Sequence, residues 1–91
     1  MSEVDVPDDS LEVVRQSVSK EKRIVQRKIE RYEKRVEEFE EEFDMDSEEF
    51  VEKFESGELG DDQEWFEWKA NIQALKRLKE RKQKLEKAGI E

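Results

Sequence analysis

Residues 57–68 read GELGDDQEWFEW, and the path of the whole chain depends on what this segment does. It holds two of the three glycines and both tryptophans. One long charged pattern with helical spacing precedes it and a second follows it. Neither glycine nor proline falls between Ser10 and Phe43, or between Asp61 and Ala88. Gly57 suits the left-handed position that ends a helix, and Gly60 relaxes the turn after it. A reversal of direction here lays the second pattern back on the first as a helical hairpin.

Downstream of the turn, Asp61 or Asp62 caps a helix predicted over residues 62–87, and Asp61 with Glu64 has capping-box spacing. Such a helix is about 39 Å long, and Gly89 marks its end. Trp65, Trp68, Ile72, Leu75, Leu78 and Leu85 fall on one broad stripe. Phe66 points the opposite way. A lone outward aromatic more often touches a neighbouring element, here the short helix described next, than it anchors a partner.

Upstream of the turn, Asp46 and Glu49 repeat the capping-box spacing and start a short helix predicted over residues 47–56. Phe50 and Phe54 share one of its faces, Val51 lies beside them, and Leu59 covers its end. It reads as a plug across the hairpin tip. Asp44, Asp46 and Ser47 interrupt the helical pattern before it.

Before that break, a helix is predicted over residues 10–43, about 51 Å long. Leu11, Val18, Val25, Tyr32 and Phe39 recur every seven residues. Ile29, Val36 and Phe43 fill the second register. The alternation by three and four is the signature of paired helices. Arg15 and Lys22 occupy the second register near the start. In order of preference they are snorkelling charges over an open end, polar register markers, or ligands for an anion. Residues 1–9, with the sole proline Pro7, read as an arm whose Asp8, Asp9 or Ser10 caps the helix.

Charged residues make up 49% of the chain and hydrophobic ones 33%, a balance also found in disordered chains. The large, regularly spaced apolar residues favour the charge-laced long-helix class instead. Glu and Lys enrichment without cysteine also fits a thermophile. With no cysteine and no histidine, disulfides, thiolate metal sites and imidazole bases are excluded. The apolar runs are too short to span a membrane and no signal peptide is visible, so a cytoplasmic location is expected.

Charge is segregated along the chain. Residues 1–36 carry 9 basic and 8 acidic side chains, residues 37–67 carry 16 acidic and one basic, and residues 68–91 carry 8 basic and 3 acidic. Solvated helix faces are the commoner meaning of such runs. In a hairpin, however, the acidic segments meet at the tip and the basic ones at the open end. Two such rods side by side, head to tail, set acid against base. A thin two-layer core points the same way, so a homodimer is expected.

The carboxylates at Glu37, Glu38, Glu40, Glu41, Glu42, Asp44 and Asp46 lack calcium-loop spacing, and a di-iron bundle requires histidine. No metal, cofactor or catalytic residue is therefore assigned. Arg15 and Lys22 are the only pointer to a small anion-binding helical enzyme, a distant alternative. The basic residues between Lys76 and Lys87 wrap around their helix without stacking aromatics. With a net charge of -9, nucleic-acid binding is not expected.

Glu49-Phe50, Phe54-Glu55, Gly57-Glu58, Gly60-Asp61-Asp62, Glu67-Trp68, Ala70 and Leu75 resemble small archaeal and bacterial antitoxin-like proteins of toxin–antitoxin pairs. The resemblance covers roughly the second half of the chain. It implies an acidic, partly helical protein that neutralises a basic partner by binding it. The expectation is thus a single all-α domain over residues 1–91: an antiparallel hairpin of two long helices with a short helix at its tip, pairing as a dimeric bundle. It acts by protein–protein interaction and not by catalysis. Phe50, Phe54, Trp65, Phe66, Asp61 and Asp62 are the candidate partner-binding residues, although closing the tip is the simpler role for Phe50, Phe54 and Trp65. A structural homo-oligomer without a toxin-like partner is the alternative.

Overall fold

The computed structural model describes residues 7–88, with side chains from Leu11 onward. They form three helices, α1 (Pro7–Phe43), α2 (Ser47–Glu55) and α3 (Gln63–Ala88), and no strand is present among the described residues. α1 packs along α3, and α2 packs against α3 at the closed end. The two long helices run antiparallel: Phe39 meets Trp68 near the tip, while Val25 and Ile29 meet Leu85 toward the open end. The hairpin is a rod of 67 × 21 × 21 Å.

α1 begins at Pro7, earlier than the predicted Ser10. Proline is well placed at a first helical position, where its missing N–H has no partner to lose and its φ is already helical. Asp8, Asp9 and Ser10 therefore lie within the helix and not ahead of it, which corrects the capping assignment. Residues 1–6 of the expected arm, and the end marker Gly89, lie outside the described residues.

The predicted seam is buried at Val25, Ile29, Val36 and Phe39, and half-buried at Val18, Tyr32 and Phe43. Its first member, Leu11, is 57% exposed, because α1 is 37 residues long and α3 only 26. α1 thus overhangs the open end. There Leu11, Val14, Arg15, Val18, Lys22 and Ala88 line a cavity of about 330 Å³. Arg15 and Lys22 sit on the wall of this cavity.

Two apolar clusters hold the rod. In the stem, Val25, Ile29 and Leu85 are joined by the half-buried Val18, Leu75 and Leu78. At the tip, Phe39, Phe50 and Trp68 are surrounded by Phe43, Met45, Val51, Phe54, Leu59, Trp65 and Ile72. Phe50 and Trp68 are 0% exposed and stack in parallel with centroids 3.9 Å apart. α2 is thus the plug that its sequence predicts.

Local chemistry fixes the turns. After α1, Asp44 adopts φ +51° and the Met45 amide donates back to the Glu40 carbonyl at 3.2 Å. The Asp46 carboxylate accepts from the Glu49 amide at 2.8 Å, so Asp46 is the N-cap of α2. At the other end of α2, Gly57 takes φ +82°. Its amide donates to the Phe54 carbonyl, and that of Glu58 donates to Lys53. These are the paired bonds of a Schellman stop. α2 ends at Glu55 with Ser56 as its C-cap, and α3 starts at Gln63, each within one residue of expectation.

Candidate functional site

The acidic tip was singled out by sequence, and its side chains divide into two layers. Phe50 is fully buried, which corrects its candidacy: no partner can reach its ring. Phe54 and Trp65 are half-buried within the tip cluster. Trp65 lies 4.6 Å from Phe43 and 5.9 Å from Phe50, centroid to centroid. Its indole N–H is buried and bonds to none of the described residues.

The outer layer is Phe66, Asp61 and Asp62. Phe66 is 51% exposed, and its ring meets Phe54 edge to face at 5.3 Å. It therefore touches the short helix, as expected, while offering its other side to solvent. Asp61 and Asp62 are exposed in the connection that leads into α3. The six candidates thus gather at one end of the rod, and Phe66, Asp61 and Asp62 are the exposed ones among them.

On another side of the tip, Glu37, Glu40, Glu41, Asp44, Asp46 and Glu49 border an open concavity of about 430 Å³ with Met45. Among the described residues, no group of three or more acidic side chains is arranged to hold a metal ion. Several of these carboxylates have local work. One Glu40 oxygen accepts from the Ser47 amide at 2.9 Å and from its hydroxyl at 2.8 Å. The Trp68 indole N–H in turn donates to the Ser47 hydroxyl at 3.4 Å. Glu40 sits at the negative end of α1, where an acid is unfavourable, yet it meets the positive start of α2. This chain links all three helices, and sequence spacing gave no sign of it.

The basic residues near the tip are already engaged. Lys53 bridges to Glu49 at 3.0 Å, whose hydrogen bond and charge raise the lysine pKa above its ordinary value. Lys69 pairs with Glu55 at 3.2 Å and lies 5.5 Å from the centre of the Phe54 ring. The tip presents a negative field around one half-exposed aromatic ring.

Comparisons with known protein families, with curated proteins and with solved structures return no match to this chain. None of its helices, among the described residues, is long and apolar enough to cross a membrane.

Proposed function

We propose that the chain is a non-catalytic interaction module that works as a dimeric bundle and neutralises a basic, toxin-like protein by binding it at the acidic tip. The observation that carries this reading is Phe66, half exposed at the acidic end of the rod that also bears the exposed Asp61 and Asp62. A large apolar ring supplies the anchor of an interface, and the surrounding charge steers an oppositely charged partner toward it. The antitoxin resemblance of the second half of the chain fits this division of labour. Dimer formation is supported by the stem, where one flank of α3 is only half covered.

The test is co-expression with the product of the adjacent gene. The wild-type chain should retain that product through purification and release it as salt screens the acids. Phe66→Ala should weaken retention by roughly 30-fold, the loss of a hot-spot residue. Asp61→Lys with Asp62→Lys should slow capture. Full retention by all these variants would sink the reading.

A further inference from the structure

We infer that the flank formed by α2 and α3 is a two-fold pairing surface between two copies of this chain, with Glu48 and Glu52 of one copy set against Lys76 and Lys79 of the other. The inference rests on the dimeric reading above and gives it a face and a register.

Two shallow grooves meet at Ile72. The one nearer the tip, of about 500 Å³, is lined by Ser47, Glu48, Val51, Glu52 and Ile72. The next, of about 300 Å³, is lined by Ile72, Leu75, Lys76, Lys79, Glu80 and Gln83. Together they make one channel along the rod. Its floor is Val51, Ile72 and Leu75, half-buried residues that pack on the two core clusters and border the grooves on their outer side.

The walls of the channel change sign along its length. Ser47 bonds Trp68, one helical turn nearer the tip than Ile72, so the acids of α2 lie to the tip side. Lys76 and Lys79 lie about 6 and 10 Å beyond Ile72 in the opposite direction. Glu80 also lines that half, and Glu33 reaches Lys79 from α1. A two-fold axis crossing the channel between Ile72 and Leu75 exchanges the two halves. Each acidic pair then opposes a basic pair, and both contacts are made twice, as an isologous interface requires. A parallel arrangement would set acid on acid and lysine on lysine, which complementarity forbids.

Lys79 has an intramolecular pair with Glu33 at 3.5 Å, but both side chains are about half exposed. Such a pair is weakly held and exchanges readily for another.

Sedimentation velocity on the full chain tests this. The wild type should be a dimer at micromolar concentration. Lys76→Glu with Lys79→Glu, and separately Glu48→Lys with Glu52→Lys, should each weaken it by about 100-fold or more through like-charge contact. The four positions are exposed, so helix content by circular dichroism should not change. Mixing the two variants should restore a heterodimer of near wild-type strength, because each supplies the sign that the other lacks at both contacts. A wild-type monomer would overturn the pairing altogether. A dimer indifferent to both reversals, or variants that do not recover on mixing, would overturn this face while leaving the dimeric reading standing. Partner capture at the tip is scored separately through Phe66.

Discussion

Among the described residues, Asp44 is the one non-glycine with a positive φ. At φ +51° it occupies a left-handed position that glycine fills at no steric cost. Asp44→Gly should therefore raise stability by about 1 kcal/mol, seen as a rise in melting temperature of about 4–8 °C. Sequence marked Asp44 only as a break in the helical pattern, because residue type alone does not separate a left-handed acid from one that merely follows a helix. The aromatic residues separate by burial. Phe50→Ala and Trp68→Ala should each cost about 3–5 kcal/mol in urea unfolding, as large cavities in a packed core do. Phe66→Ala should cost less than about 1 kcal/mol, since half its ring already faces water. That contrast makes Phe66 a clean probe of binding. Sequence grouped Phe50 and Phe66 with Phe54 and Trp65 as one candidate site and placed Trp68 only on the apolar stripe of α3. Periodicity finds which residues share a stripe, but it does not say how deep each one lies.

At the scale of elements, α2 is the part whose start and stop were most legible. Asp46 and Gly57 perform the roles their residue types suggest, because capping depends on local geometry that tertiary context seldom overrides. Asp46→Ala should cost about 1 kcal/mol through loss of the bond to the Glu49 amide. Gly57→Ala should cost about 1–2 kcal/mol. No atom lies within 4 Å of the added methyl carbon, so that cost is one of backbone conformation alone. Thermal melts of the two variants check both values. The Lys53–Glu49 pair belongs to the same helix. A lysine whose folded pKa is raised contributes fully below its ordinary value and stops contributing as pH climbs through the raised one. α2 should thus keep this contact in neutral and mildly alkaline solution. The bonds from Ser47 to Glu40 and from Trp68 to Ser47 escaped the sequence reading. They join residues seven and twenty-one apart across a turn, a separation at which spacing rules are silent.

At the scale of the whole molecule, the hairpin and its polarity followed from two glycines, two stripes and the charge blocks. The overhang of α1 did not, because the start of a helix at proline was read as the end of an arm. Leu11, Val13 and Val14 remain exposed on it. Removing residues 1–16 should therefore shift the melting temperature by less than about 4 °C, equivalent to roughly 1 kcal/mol. A larger drop in a dilute sample would mean that the overhang packs on the stem.

Both indoles belong to the tip cluster, and the single tyrosine, Tyr32, lies on α1 between the two ends. Emission excited at the red edge of the absorption band therefore watches only the closed end of the rod. Far-ultraviolet ellipticity instead averages all three helices. Should the stem fray at lower temperature than the aromatic knot, the two optical signals would part company on heating, and the gap between their midpoints would measure how loosely the two ends are coupled.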